Sequence, residues 1–240
     1  ALLWPARCLP CGEDGDGDRD LCAACSAALP RLGPACAVCA LPLGAAYADI
    51  ALPVAAACAD GPQPVGGAPR CGRCARSPPP YASTCAAFAY RPPVDRLLVR
   101  FKFHGDLAAG RLLATLLADA AATAPRPDAL LPVPLHRGRL RERGYDQALE
   151  LARPLARAFD LPLLAHGLVR MRPTQAQTEL DAGARRRNLR GAFAPGRDAL
   201  PAHVALVDDV MTTGATLAEA ARVLRRAGVA RVDVWVVARA

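Results

Sequence analysis

Hydrophobic and polar positions divide the chain near residue 80. Beyond that point apolar residues recur at strand and helix periods, and before it they do not. Residues 204–207, Val-Ala-Leu-Val, form a short apolar run of the buried-strand kind. Asp208 and Asp209 follow where such a strand stops, and a small hydroxyl-rich turn, Thr212-Thr213-Gly214-Ala215-Thr216, comes soon after. Leu217, Ala220, Ala221 and Leu224 then recur at three- and four-residue spacing, which predicts a helix closed by Arg225, Arg226 and Gly228. Residues 232–237 read as the next strand and complete a βαβ unit. Upstream, residues 84–90 have strand character and 94–103 a helical face of Leu97, Leu98 and Phe101. Gly105 breaks that helix, 107–122 is a second helical pattern, and 129–133 is another apolar strand. Asp146 is placed to cap a helix carrying Leu149, Leu155 and Phe159, which Pro154 is expected to kink or split. Alternating strands and helices predict an α/β fold with an open, mostly parallel sheet, whose ligands sit at the carboxyl ends of its strands.

The turn after the acidic pair has a readable chemistry. The first N–H groups of a helix lack internal partners and carry partial positive charge, so they attract phosphate. Gly214 allows close backbone approach, and Thr212, Thr213 and Thr216 offer hydroxyls. Asp208 and Asp209 repel phosphate but suit a sugar diol or a hydrated Mg²⁺. The blander reading is an ordinary strand–turn–helix with a solvated acid pair. Arg137, Arg139, Arg141 and Arg143 follow the strand at 129–133, where guanidinium groups are able to neutralise a diphosphate; the bland reading there is a solvated basic loop. A second basic region runs from Arg170 and Arg172 through Thr174, Gln175, Gln177 and Leu180 to Arg185, Arg186, Arg187, Asn188 and Arg190. Its weak periodicity suits a mobile flap.

The first 80 residues change the picture. Eight of the ten cysteines form four Cys-x-x-Cys pairs: Cys8/Cys11, Cys22/Cys25, Cys36/Cys39 and Cys71/Cys74. Two such pairs close a tetrahedral zinc site, so four imply two Zn²⁺ ions. Sequential pairing is the simplest, and spacing leaves an interleaved pairing open. Cys58 and Cys85 stand alone and read as buried thiols. The acidic run at 13–20 reads as a solvated loop, and residues 61–69 lie in a low-complexity insertion with a disordered composition. We therefore expect a cysteine-rich module over 1–80, stabilised by metal, and a second domain over 81–240.

Hydrophobic content is 52% over 240 residues, enough for a sizeable core. The formal net charge of +8 favours anionic partners. Lys102 is the only lysine, and the Ala-, Arg-, Gly- and Pro-rich composition points to a GC-rich genome, so position says more than the total. Aromatics make up 5%, leaving Tyr81, Tyr90, Phe103 and Tyr145 as the few candidates for base stacking, each more often a core residue. The start, Ala1-Leu-Leu-Trp, lacks both an initiator Met and a signal-peptide pattern, which points to a trimmed or incomplete N-terminus. No apolar run is long enough to span a bilayer, so the chain reads as soluble and cytoplasmic, without membrane insertion.

The stretch Val-Asp-Asp-Val-x-Thr-Thr-Gly-Ala-Thr resembles the phosphoribosyl diphosphate (PRPP) motif of type I phosphoribosyltransferases. That resemblance implies that Asp208 and Asp209 contact the ribose hydroxyls, with Mg²⁺ accompanying PRPP, and that Thr212 to Thr216 wrap the 5′-phosphate. The order of four Cys pairs, Phe-Lys-Phe at 101–103, Pro-Val-Pro-Leu-His with Arg-x-Arg-Gly-Tyr-Asp-Gln, and Thr-x-x-Gln with Arg-x-Asn-x-x-Gly-Ala-Phe is similar to the ComF family of competence proteins. That family joins a small double zinc ribbon to a phosphoribosyltransferase-like domain and is linked to uptake of single-stranded DNA in natural transformation. The resemblance implies PRPP, single-stranded DNA, and DNA-uptake helicase or channel proteins as partners. Asp146 stands where many members have Asn, and the stretch between Cys39 and Cys71 is long. A catalytically active phosphoribosyltransferase, transferring phosphoribosyl to a nitrogenous base, is the alternative; no residue presents itself as a general base. A regulator that senses PRPP and binds duplex DNA ranks last, because no helix-turn-helix is visible.

Overall fold

Strand residues alternate between two sides of a sheet, and here each side has its own apolar layer. The computed structural model describes residues 6–17, 19–44, 68–173 and 189–240. Cys58, most of the 61–69 stretch, and Thr174 to Asn188 of the second basic region lie outside the described residues. In chain order the elements are α1 (Ala23–Ala27), α2 (Gly72–Arg76), β1 (Thr84–Ala89), α3 (Val94–Phe103), α4 (Leu107–Ala121), β2 (Ala129–Pro132), α5 (Arg137–Arg143), α6 (Gln147–Phe159), β3 (Leu168–Arg170), β4 (Phe193–Pro195), β5 (His203–Met211), α7 (Ala215–Arg226) and β6 (Arg231–Arg239). Four of the strands form one parallel sheet in the order β1-β6-β5-β2. β3 and β4 make a separate antiparallel ribbon.

Ala205 and Val207 of β5, with Trp235 and Val237 of β6, face a layer built by α3, α4 and α6 through Leu98, Phe101, Leu113, Leu117, Leu151 and Leu155. Val204, Leu206, Val234 and Val236 face α7, through Leu217, Ala220, Ala221 and Leu224. The predicted helical stripe of α7 is therefore its buried face. α3 and α4 meet closely at Gly110, where a Cβ would lie 2.5 Å from the Phe101 ring. Asp106 caps α4 by accepting from the Ala109 N–H at 3.0 Å.

The cysteine-rich stretch covers both layers. Cys8, Leu21 and Leu29 join the α3–α4–α6 layer, while Cys36, Cys39, Cys71 and Cys74 join the α7 layer. Between them the chain runs along the outer edge of β1: Ala89 N–H donates to Pro30 O at 2.9 Å, and Arg31 bridges to Phe88. The other edge of the sheet is covered too. Leu130 N–H donates to Pro162 O, and Leu164 N–H donates to Leu130 O.

Four expectations change in detail. The strand expected over 204–207 extends to Met211 and carries the acidic pair within it. The arginine-rich stretch at 137–143 is helical, entered through His136, whose Nδ1 accepts from Gly138 N–H at 3.2 Å. α6 runs unbroken through Pro154. The proline forgoes one backbone bond, while Leu151, Ala152, Leu155 and Ala156 bury the helix's inner face. Finally, the second basic region is rooted in regular structure: Arg170 lies on β3, which pairs with β4.

Candidate functional site

The acidic pair and the arginine helix meet because their strands are parallel neighbours. β2 pairs with β5 so that Pro132 lies opposite Val207. The segment leaving β2 therefore emerges beside Asp208 and Asp209. Asp209 is 5% exposed, and its Oδ2 lies 2.8 Å from Lys102 Nζ at the end of α3. Its Oδ1 accepts from Val210 N–H at 2.7 Å. Asp208 Oδ1 accepts from Asp209 N–H at 2.9 Å. Burial, and then the neighbouring Asp209 carboxylate, push Asp208 up to about 8, with Lys102 opposing the rise. Burial lowers Lys102, Asp209 and then Asp208 raise it, and together they leave it above the usual lysine value.

Asp146 caps α6, accepting from Leu149 N–H at 3.2 Å, and its other oxygen accepts from Leu135 N–H at 2.9 Å. Burial raises its carboxyl, and Asp209 adds to the rise. The cap expected from sequence is thus in place, and the same side chain ties α6 to the loop entering α5.

Along α5 the arginines divide by face. Arg137 and Arg141 are exposed, whereas Arg139 and Arg143 are partly buried, as residues four apart on one helix side must be alike. The Arg143 guanidinium sits 5.4 Å above the Phe103 ring. Arg170 is brought close as well: burial lowers its pKa, while Asp208 raises it and Arg139 lowers it further. Its guanidinium lies 5.4 Å over the Phe193 ring.

The turn follows β5 directly. Gly214 has φ +73° and stands at the N-cap of α7 with no side chain to cap it. The first-turn amides are therefore left to other partners; among the described residues, Ala215 N–H meets a hydroxyl, Thr213 Oγ1, at 3.4 Å. Thr212 is exposed, while Thr213, Ala215 and Thr216 are partly buried. Arg73 of α2 donates to Thr213 O at 3.1 Å. Arg239 donates to Met211 O at 3.1 Å and to Cys39 O at 3.0 Å. The cysteine-rich stretch thus braces the turn from behind. Among the described residues, Lys102 and Arg170 act on the acidic pair, Arg143 acts on Lys102 and Arg139 on Arg170, and the 212–216 turn continues from β5. Arg137 and Arg141 point to solvent.

The cysteines gather into two sets, Cys8, Cys11, Cys22, Cys25 and Cys36, Cys39, Cys71, Cys74, with the ligand sulfurs of each set within 4.8 Å of one another. The grouping is sequential. The long stretch between Cys39 and Cys71 does not prevent it, because the cost of closing a loop grows only with the logarithm of its length. Four crowded thiols cannot all ionise unaided. In the second set, the Cys39 thiol bonds to Cys36 and lowers it, while Cys39 itself is raised by the same contact. A divalent cation relieves that conflict, and four sulfurs at this spacing suit tetrahedral zinc. The two sets fit two zinc ions.

Residues 1–59 match the double zinc ribbon domain, and residues 146–240 match the phosphoribosyl transferase domain. The chain is 40% identical over 182 residues to Competence protein F of Haemophilus influenzae, covering 72% of this chain and 80% of that protein. The chain belongs to the competence protein F family. Within that family it is also 38% identical over 175 residues to DNA utilization protein YhgH of Salmonella typhi, covering 70% of this chain and 77% of that protein. It is 31% identical over 148 residues to Competence protein ComFC of Bacillus subtilis, covering 60% of this chain and 58% of that protein. Cys71 and Cys74 of the second sulfur set lie beyond the matched ribbon segment. For a competence protein F family member, sequence reasoning passed over Lys102 as a site residue and left Arg170 in a flap. One signal pointed to Lys102: a single lysine persists in a chain that otherwise uses arginine. No helix among the described residues is long and apolar enough to cross a membrane.

Proposed function

We propose that the chain binds PRPP with Mg²⁺ at the carboxyl end of β5 and acts in DNA uptake, handling incoming single-stranded DNA during natural transformation. Asp208 and Asp209 take the ribose hydroxyls and the hydrated Mg²⁺, Thr212 to Thr216 take the 5′-phosphate, and Arg139 and Arg143, with Arg137 and Arg141 on the outer face, take the diphosphate. One observation carries this reading: a partly neutralised carboxylate pair and an uncapped, glycine-entered helix start lie within six residues on one strand-turn-helix segment. The DNA role draws on the relatives, named for competence and DNA utilization. In this reading residues 1–80 are a zinc module, 81–240 a phosphoribosyltransferase-like domain, and the setting is cytoplasmic, beside helicase or channel proteins of DNA uptake.

Titration calorimetry with PRPP and Mg²⁺ tests the ligand. Binding that is lost in Asp208→Asn/Asp209→Asn supports the site; equal binding by that variant refutes it. A second reading, an active phosphoribosyltransferase, draws on Arg139 and Arg143, partly buried on the helix that follows β2, as groups suited to neutralise a leaving diphosphate. Pyrophosphate release against a panel of nitrogenous bases separates the two: affinity without turnover supports the first, robust turnover the second.

A further inference from the structure

A cleft of about 870 Å³ opens on the α7 side of the sheet. It shares residues 213–215 with the turn, but neither Asp208 nor Asp209 lines it. Its charge is one-sided among the described residues. Arg73, Arg190, Arg222 and Arg226 line it there against a single carboxylate, Glu219. That carboxylate is already answered, by Arg222 and by the Gly191 N–H at 2.9 Å. The hydroxyl of Tyr81, a residue 3% exposed, also lines the cleft and has no hydrogen-bond partner among the described residues. It lies 3.2 Å from where a Cβ on Gly214 would stand, and so faces the start of α7. An O–H held there, beside first-turn amides, is a donor without an acceptor.

The shape of this charge matters. Arg222 and Arg226 are one helical turn apart, about 6 Å along the axis, and they continue the line that begins at the amides of the turn. The row follows a helix about 18 Å long instead of converging on one point. A nucleotide backbone repeats at a similar interval. Pro78, Pro79 and Pro80 add an uncharged apolar surface, against which bases can lie. A cavity of this size is in the range that seats a few rings and is too small for a duplex.

We propose that this cleft holds the phosphodiester backbone of single-stranded DNA, with the phosphates along α7 and the bases toward the proline segment. The proposal rests on the DNA-handling half of the proposed function and gives it a location separate from the acidic pair. The test is fluorescence anisotropy of a labelled oligothymidine across a salt series, using the full zinc-loaded chain. Arg190→Glu/Arg226→Glu removes two exposed arginines of the cleft. Arg96→Glu/Arg111→Glu makes the same charge change at exposed positions on α3 and α4. The cleft variant is expected to bind at least about tenfold more weakly at moderate salt, with a salt slope shallower by about 1.4, or 0.7 for each lost phosphate contact. The α3–α4 variant is expected to stay within about twofold of the parent. Equal losses in the two variants, unchanged binding by the cleft variant, or displacement of the strand by inorganic phosphate at similar concentration overturns the proposal. If the parent chain binds no single strand at all, the proposal and the DNA-handling reading fall together. PRPP titration of the same samples reports separately on the acidic seat.

Discussion

Replacing Lys102 with methionine tests the electrostatic core of the site. Methionine keeps an unbranched apolar stem and removes only the ammonium. That ammonium lies 2.8 Å from Asp209 Oδ2, with side-chain exposures of 31% and 8% for the lysine and the aspartate. Severing a buried ion pair costs about 3–5 kcal/mol, because one charge is left without its partner. Solvent at Lys102 screens part of this, so a smaller loss of stability, about 2–3 kcal/mol, is expected at neutral pH. A second consequence follows from the same contact. Lys102 opposes the rise of Asp208, which burial and Asp209 push up to about 8; without the lysine Asp208 titrates higher still. Urea unfolding followed by fluorescence of the buried Trp235 measures the first effect, and carboxyl titration by NMR measures the second. The double variant Lys102→Met/Asp209→Asn is expected to lose less than the two single losses combined, because neither charge is then left alone. A loss below about 0.5 kcal/mol, together with an unmoved Asp208 titration, would falsify this account of the site.

Asp208 gives the chain a pH signature: the folded state keeps its proton up to about 8, against 3.8 for a free carboxyl. The unfolded state releases it earlier, so stability falls as pH rises between these values, by up to about 1.4 kcal/mol per pH unit; Asp208→Asn should flatten that slope in pH-dependent unfolding. Metal analysis is expected to return two zinc equivalents per chain, and chelation should lower the melting temperature, since these ions contribute folding energy; one equivalent would reject the sequential grouping. Gly214→Ala forces a Cβ into a left-handed position 3.2 Å from the Tyr81 hydroxyl, which should cost about 1–2 kcal/mol and weaken PRPP binding in calorimetry. Arg73→Ala should leave both zinc ions in place yet reduce PRPP affinity several-fold, because the carbonyl of Thr213 loses its 3.1 Å donor.

Much of this was legible in the sequence where periodicity and chemistry agreed. β5, α7 and β6 were visible because strands buried on both sides read as short apolar runs and a packed helix shows a stripe. The cysteine pairs announced two metal sites, but spacing left the grouping around each open, and only the fold brings the sequential sets together. α5 was hidden because four arginines in seven residues carry no apolar stripe; its short helix is held by the His136 cap and the left-handed Gly144 at its end. β3 and β4 are three residues each, too short for an alternation to register. The role of Lys102 depends on two segments about a hundred residues apart coming together. No local pattern encodes that meeting, which arises only when α3 packs on the sheet.

The backbone along both flanks of the four-stranded sheet has a consequence for assembly. Among the described residues, segment 30–31 bonds to the end of β1 at Phe88 and Ala89, and segment 162–164 bonds to β2 at Leu130, so both borders are partly occupied. Strand addition, a common way for chains to join or to aggregate, is therefore obstructed at those positions. A partner or second copy approaching there meets backbone groups of Ala89 and Leu130 that are already bonded.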